Sequence, residues 1–404
     1  MYSLARDIAP LLVGSAAMYS ILGYTHLPAM AGMALLTAAA VLAGNDPSSI
    51  EASLAKAFYA CRLGVMKKDG LPDLPKLVKK IKRDYGWRLI FTIPVGMSIY
   101  NFHKDKLSLQ TATNSELEMW VENGMLHMRA FTHRLPKTVQ YKPFISEGVL
   151  PIPIGYSRAG LEVADLVECP HLLVGGTTGA GKSVFLHGLA YTLCHYPHVR
   201  LYMIDLKKLE FVQYRNHAWL ASTVQQAVAV VTEVRSEMFR RMELLKNARV
   251  NNIAKYKEKL PYIVLIIDEF AQLWPQKGAD VGPVYEMKKT AHSYLHDILS
   301  LARAVGIHCV VSTQRPDRYI LPGQLKANLP ATLAFRCRNM TNAEVLDTPL
   351  AALIPPEIKG RAIWNWNTDR EVQVMMFDPD KHILPVPVTK PVVKERIVHA
   401  AGEV

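Results

Sequence analysis

The sequence predicts an α/β protein with a central, mostly parallel β-sheet. Three observations predict this fold. Short apolar runs alternate with longer helical stretches, one apolar run leads through a glycine-rich loop into a helix, and another run ends in two adjacent acidic residues. Strands of a parallel sheet are buried on both faces, so they are apolar throughout instead of alternating with polar residues. The run 262–267 has this character.

The strands and helices of this region follow in alternating order. The predicted strands cover residues 171–174, 201–205, 262–267, 307–315 and 331–335. The predicted helices cover residues 184–194, 225–246 and 284–304. Strands that alternate with helices give right-handed crossovers between parallel neighbours.

Length and composition exclude several classes of protein. The chain has 404 residues, which allows two to four domains. A hydrophobic content of 50% excludes a disordered chain, and 23 glycines and 5 cysteines exclude collagen-like and disulfide-scaffold proteins. The cysteines are widely spaced and include no CxxC pair, which predicts buried thiols in a reducing compartment instead of a zinc site.

The apolar content is concentrated at the amino terminus. Residues 8–45 contain no Asp, Glu, Lys or Arg. Two apolar runs each reach the lower limit of about 17 residues for a membrane helix, one at 8–24 and one at 28–44. A turn-rich break separates them. The alternatives are a signal peptide, which has one apolar run, and a soluble helical hairpin, which would show a polar face. We therefore expect a membrane hairpin over residues 1–46.

The charge distribution predicts how this hairpin is oriented. The net charge is +12, and nine lysines and arginines lie between Lys56 and Arg83. A basic flank marks the cytoplasmic side of a membrane segment. We expect a multi-pass protein of the cell membrane whose large carboxy-terminal part lies in the cytoplasm.

The remaining chain is predicted to contain a small α+β domain at 47–150, a P-loop ATPase domain at 151–385 and a tail at 386–404. In the small domain we expect a helix at 49–66, a strand at 87–93 and a hairpin of strands 118–121 and 125–131. Asn123-Gly124 between those strands favours a type I′ turn. The basic run 76–83 is either a contact for DNA or lipid phosphates or a solvated face.

A glycine-rich loop follows the strand at 171–174. Residues 176–183 match the pattern GxxxxGK[ST], between a strand and a helix as a P-loop requires. Its backbone N–H groups and the helix N-terminus would surround the phosphates of ATP. Lys182 is predicted to reach the β- and γ-phosphates and Ser183 to ligate Mg²⁺. The predicted nucleotide-binding residues are Gly176, Thr177, Thr178, Gly179, Ala180, Gly181, Lys182 and Ser183.

Polar residues follow two further strands. Asp268 ends the strand 262–267 and is expected to hold the Mg²⁺ shell, and Glu269 is expected to polarise the attacking water. Gln314 lies at the end of the strand that begins at residue 307, where it could sense the γ-phosphate; the alternative is a plain turn residue. These residues together predict hydrolysis of ATP.

Several stretches beyond the P-loop resemble the FtsK/SpoIIIE-type DNA translocases of the RecA/HerA-like P-loop class. The stretches lie at 170–183, 203–207, 237–241, 268–271, 301–308, 312–316 and 326–330. The resemblance implies a RecA-like motor domain, a homo-hexameric ring and sequence-tolerant pumping of double-stranded DNA. It also implies that ATP binds between subunits and meets an arginine of the neighbour, for which Arg303, Arg315 and Arg336 are the candidates.

Departures from the division-type members point to one subgroup. The chain ends soon after the motor, without room for a winged-helix DNA reader, and two predicted membrane spans replace four. These features resemble coupling proteins of conjugative elements, whose partners are a relaxase or transfer-channel proteins. The alternatives are an FtsK-like ATPase for protein secretion, a chromosome- or plasmid-partition pump and a nucleotide-dependent membrane scaffold. A single P-loop counts against secretion ATPases, which carry several, and Glu269 counts against a scaffold.

Overall fold

The computed structural model describes residues 49–66, 72–132, 135–144, 146–276 and 278–387. The chain divides into two compact units between residues 134 and 135. The predicted membrane hairpin at 1–46 lies outside the described residues, as does most of the predicted tail. Among the described residues, no helix combines the length and apolar character that a membrane crossing requires.

The amino-terminal unit is a four-stranded antiparallel sheet with helices on one face. The strand order is β3-β4-β6-β5, and a separate pair, β1 and β2, is also antiparallel. Its core includes Leu54, Phe58 and Phe102 from the helices and Leu89 and Leu126 from the sheet. Its elements are α1 (Ile50–Ala60), β1 (Val65–Met66), β2 (Pro72–Asp73), β3 (Leu77–Arg83), β4 (Gly86–Thr92), α2 (Ile99–Lys104), α3 (Lys106–Thr113), β5 (Glu116–Glu122) and β6 (Met125–Phe131).

The predicted hairpin in this unit is confirmed, and the predicted helix is too long. Asn123 and Gly124 connect β5 to β6 with φ of 51° and 71°, as a type I′ turn requires. The helix predicted at 49–66 ends at Ala60, because Arg62 adopts a left-handed φ of 55° and the chain then enters β1. The basic run forms the edge strand β3, which pairs with β4.

The second unit contains a ten-stranded sheet with helices on both faces. The strand order is β12-β11-β13-β14-β10-β15-β16-β17-β8-β9, and β18 pairs separately with β7. Its elements are β7 (Val139–Gln140), β8 (Pro151–Ser157), β9 (Gly160–Asp165), β10 (His171–Gly175), α4 (Lys182–Cys194), β11 (Val199–Ile204), β12 (Ala218–Ala221), α5 (Val224–Asn247), β13 (Tyr262–Ile267), α6 (Phe270–Leu273), α7 (Pro283–Leu301), β14 (Ile307–Thr313), α8 (Gly323–Lys326), β15 (Ala331–Phe335), α9 (Met340–Val345), β16 (Arg361–Trp366), β17 (Thr368–Gln373) and β18 (Met375–Met376).

The parallel half of this sheet confirms the predicted α/β fold. Strands β12, β11, β13, β14, β10 and β15 pair in parallel, and the four strands beyond β15 are antiparallel. All five residues of β10 and all seven of β14 are buried. Two apolar cores, one on each face, bury these strands: one contains residues of α5 and α7, and the other residues of α4.

Candidate active site

The carboxyl ends of the parallel strands bring the predicted site residues together. Strand β10 leads into the P-loop and lies between β14 and β15, while β13 lies on the other side of β14. Asp268 directly follows β13, Gln314 follows β14 and Arg336 follows β15. Open parallel sheets bind ligands at this edge. The edge therefore holds the loop, both acidic residues and Gln314.

The P-loop is shaped by three glycines with positive φ. The values are 139° at Gly176, 76° at Gly179 and 120° at Gly181. The hydroxyl and the backbone N–H of Thr177 both donate to the carbonyl of Arg336, at 3.1 and 2.9 Å, which fixes the loop to the end of β15. Helix α4 starts at Lys182 without a side-chain cap, so its first N–H groups stay available to an anion.

Two glycines of the loop give a matched pair of variants. A Cβ at Gly176 would lie 2.8 Å from Cβ of Phe335, whereas a Cβ at Gly179 would meet nothing within 4 Å. We expect Gly176→Ala to lower the free energy of unfolding by about 1–3 kcal/mol through overpacking and to weaken nucleotide binding. Gly179→Ala should cost only the backbone strain, about 1 kcal/mol. Urea unfolding and titration with ATPγS measure both effects; equal losses in the two variants would contradict this prediction.

The side chain of Lys182 lies within the P-loop, and this residue is only 5% exposed. Its Nζ donates to the carbonyl oxygens of Gly176 at 2.6 Å and Thr177 at 3.0 Å. Burial lowers the pKa of Lys182 to about 8, although the nearby carboxylates of Glu269 and Asp268 act in the opposite direction. The ammonium therefore stands among backbone dipoles at the position from which a P-loop lysine meets phosphates.

Glu269 is held by the end of the neighbouring strand. The hydroxyl of Thr313 donates to its Oε1 at 2.9 Å, and the backbone N–H of Gln314 donates to both carboxylate oxygens at 3.1 and 3.0 Å. Burial raises the pKa of Glu269, while these hydrogen bonds and the charges of Lys207 and Lys182 favour the ionised form. A carboxylate fixed in this way is suited to orient and polarise a water molecule.

Gln314 connects that strand to the P-loop. Its Oε1 accepts a 2.7 Å hydrogen bond from the hydroxyl of Thr178, while its backbone N–H binds Glu269. Gln314 thus contacts both the phosphate-binding loop and the acidic residue. Its role as a γ-phosphate sensor stays a prediction, and this contact is the geometry that such a role needs.

A loop after β11 adds two residues that the sequence analysis missed. The buried carboxylate of Asp205 accepts hydrogen bonds from the backbone N–H groups of Lys207, Lys208, Glu210 and Phe211, at 2.9–3.2 Å. This turn directs Lys207 to Asp268, with Nζ 3.0 Å from Oδ2, and brings Glu210 close to Ser183, whose hydroxyl favours the ionised form of Glu210. The sequence signals were the position of this loop after an apolar strand that ends in an acid and, for Lys207, the family-like stretch 203–207.

The donor set at this edge fits Mg²⁺. Ser183 and Asp268 supply oxygen atoms, which Mg²⁺ prefers; Glu210 lies beside them, and the Lys207 ammonium stands as a cation beside Asp268. Within the described ranges, no three His, Cys, Asp or Glu residues cluster closely enough to hold a metal ion. This agrees with the usual behaviour of Mg²⁺, which binds one or two carboxylates, waters and substrate phosphates.

The three candidate arginines occupy different places. Arg336 follows β15 beside the P-loop, and Arg315 is exposed directly after Gln314. Arg303 precedes β14, and its charge acts on His171 and His308 at the amino ends of their strands, so it lies at the sheet edge opposite the P-loop. Within one protomer, Arg303 is thus not brought to the site; its action on a neighbour's nucleotide stays a prediction.

Comparison with known sequences identifies relatives of this region. The FtsK/SpoIIIE family matches residues 146–260. DNA translocase FtsK of Campylobacter jejuni is 37% identical over 199 residues, which are 46% of this chain and 20% of that protein. DNA translocase FtsK of Bacillus anthracis is 29% identical over 332 residues, 71% of this chain and 39% of that protein. The chain thus spans well under half the length of these two relatives.

Comparison with solved structures extends the similarity along the chain. The pCW3 conjugation coupling protein TcpA, solved as a monomer with ATPγS, aligns with a TM-score of 0.60 and 26% identity over 82% of this chain and 96% of that one. EssC of Geobacillus thermodenitrificans (ATPases 2 and 3) shares the fold, with a TM-score of 0.50 and 17% identity over 67% of this chain and 51% of that one. Residues 146–260 therefore match the FtsK/SpoIIIE family, and they lie within a domain that has the fold of a P-loop ATPase.

Proposed function

We propose that this protein hydrolyses ATP to translocate double-stranded DNA, and that it serves conjugative transfer as a membrane-anchored coupling protein. One observation carries the ATPase function. The P-loop with Lys182, the acidic pair at the end of β13 and Gln314 meet at one edge of the sheet, with Glu269 fixed by Thr313 and Gln314. This is the arrangement that ATP hydrolysis needs: a phosphate cradle, a metal-binding carboxylate and a base for water.

The relatives support DNA as the cargo. Both FtsK proteins are described as DNA translocases, and the FtsK/SpoIIIE family matches residues 146–260 of this chain. A pump that moves DNA of any sequence must contact phosphates more than bases. The net charge of +12 agrees with a polyanionic partner.

The structural comparison favours conjugation among the roles of such motors. The TcpA alignment covers 82% of this chain, a larger share than residues 135–404 alone would supply, so it extends into the amino-terminal unit. TcpA is described as a conjugation coupling protein. A similarity that reaches both units supports the same role here, with a relaxase or transfer-channel proteins as partners and a homo-hexameric ring as the working form.

The uncharged amino terminus supports attachment to the membrane. Residues 8–45 carry no charged side chain, and they precede a basic segment. Two short helices in this run would cross the bilayer and return, which leaves both units in the cytoplasm.

The decisive test is ATP hydrolysis by the detergent-solubilised full chain with and without double-stranded DNA of mixed sequence. We expect DNA to stimulate hydrolysis several-fold, and the stimulation to decrease steeply as salt rises, because phosphate contacts release counterions. Lys182→Ala should abolish hydrolysis and, in donor cells, DNA transfer. The exposed Lys289, on α7, gives the matched control Lys289→Ala, which should change neither ATP hydrolysis nor DNA transfer.

Three results would contradict the proposal. If DNA does not stimulate ATP hydrolysis at any salt concentration, the proposed translocase function is wrong. If donor cells that carry the Lys182→Ala variant transfer DNA at the normal rate, the proposed conjugative role is wrong. Co-purification of a secreted protein without any DNA binding would favour a secretion ATPase instead.

A further inference from the structure

The loop after β11 places a cation and a carboxylate at the predicted magnesium site. Lys207 forms an ion pair with Asp268 at 3.0 Å, and Asp268 is only 4% exposed. Lys207 is more open, with 29% of its side chain exposed, so its ammonium can leave the pair more easily than the carboxylate can. An opposite charge close to a buried carboxylate compensates for the water that the carboxylate has lost.

Glu210 stands on the other side of the same site. Its charge interacts with those of Asp268 and Lys207; burial raises the pKa of Glu210, while Lys207 and the Ser183 hydroxyl favour its ionised form. His187 lies 3.7 Å from Glu210, and burial lowers the pKa of this histidine to about 4, so it is neutral and brings no competing charge. Glu210 therefore adds a negative charge beside the two residues that are expected to bind Mg²⁺.

We propose that Lys207 and Mg²⁺ compete for Asp268, and that Glu210 favours the metal ion in this competition by its negative charge. Lys207 is a positioning residue: it neutralises Asp268 until Mg²⁺ arrives with the nucleotide, and its ammonium is then released from the pair. The inference rests on the proposed ATPase function, because Mg²⁺ enters such a site together with ATP.

The competition predicts opposite effects of two variants on one measured ratio. The ratio divides the Kd of ATPγS in EDTA by its Kd in saturating Mg²⁺, both measured by calorimetry on the solubilised full chain. Lys207→Met should raise the ratio about fivefold, because the metal no longer displaces a partner of Asp268. Glu210→Gln should lower it about tenfold, as removal of an outer-shell carboxylate typically does.

Two further variants separate this role from a structural one. Lys207→Arg keeps the positive charge and should leave the ratio within about twofold of that of the unmodified protein. Lys208→Met changes the adjacent lysine, whose backbone N–H binds Asp205 like that of Lys207, and it should also leave the ratio unchanged. Equal thermal unfolding midpoints of all four variants exclude a loss of the loop fold.

An unchanged or lowered ratio in Lys207→Met would overturn the inference, and so would an unchanged ratio in Glu210→Gln. Failure of the proposed function gives a different result. In that case the unmodified protein would bind ATPγS in neither condition, or would bind it without hydrolysing ATP.

Discussion

Replacement of Glu269 by glutamine is expected to reduce ATP hydrolysis by about 10²–10⁴-fold while ATP binding persists. Glutamine keeps the size of the side chain and can still accept hydrogen bonds from Thr313 and the Gln314 backbone, but it cannot accept a proton from water. Steady-state hydrolysis and ATPγS titration of the full chain separate the two effects. A variant that hydrolyses ATP at the normal rate would show that another group acts as the base.

The raised pKa of Glu269 predicts how the rate of ATP hydrolysis depends on pH. Burial raises the pKa of Glu269 above the usual value for a glutamate, and the base must be ionised to act. Hydrolysis should therefore decrease on acidification at a pH higher than an exposed glutamate would give, and the residual activity of Glu269→Gln should lack this decrease. The exposed Glu243, which pairs with Lys246, provides the control Glu243→Gln, which should leave the rate and its pH profile unchanged.

The parallel half of the sheet could be predicted from the sequence because each strand is buried on both faces. An uninterrupted apolar run such as 262–267 then predicts a central parallel strand. The polar residue after it must lie at the carboxyl edge of the sheet. The P-loop pattern identified the strand that leads into it. The contacts of Glu269 and Gln314 follow from this topology, since β14 lies between the strands of the P-loop and of Asp268.

Two antiparallel strands, β8 of the second unit and β3 of the amino-terminal unit, could not be predicted, since they carry contradictory local signals. Strand β8 contains Pro151 and Pro153, which lack the N–H that a ladder needs, and its pairing shifts register between Pro153 and Gly155. Strand β3 is rich in lysine, a residue that strands usually avoid, and it forms because β4 offers it a pairing edge. In both cases tertiary pairing outweighs local preference.

Lys207 and Glu210 were missed for a different reason. Their functional positions depend on Asp205, whose carboxylate gathers four backbone N–H groups and turns the loop toward Asp268. A sequence shows that an acid follows a strand, but this acid could equally have been a metal ligand. Only the folded loop shows that Asp205 is structural and that the residues after it face the site.

The largest effect on stability is expected at Arg241 in α5. This arginine is 1% exposed; it pairs with Glu237 at 2.7 Å and donates to the carbonyl oxygens of Val305 at 3.0 Å and Pro261 at 2.8 Å. It thereby joins α5 to the segments that lead into β13 and β14. Arg241→Ala removes these hydrogen bonds, leaves two buried carbonyls without a donor and leaves Glu237 with Arg240 alone, which should cost about 3–5 kcal/mol of unfolding free energy.

The neighbouring arginine provides the control for this prediction. Arg240 binds the same Glu237 at 2.6 Å, but 53% of its side chain is exposed, so Arg240→Ala should cost less than about 1 kcal/mol. Urea unfolding of the full chain measures both. Burial alone would raise the pKa of Glu237, but hydrogen bonds and charges from the two arginines lower it. Its contribution to stability is therefore present at neutral pH and is lost as the pH falls below the usual range of a glutamate. Arg241→Ala should reduce this acid-dependent loss. Equal destabilisation by the two variants would show that the buried contacts of Arg241 with the carbonyls contribute nothing beyond the shared ion pair.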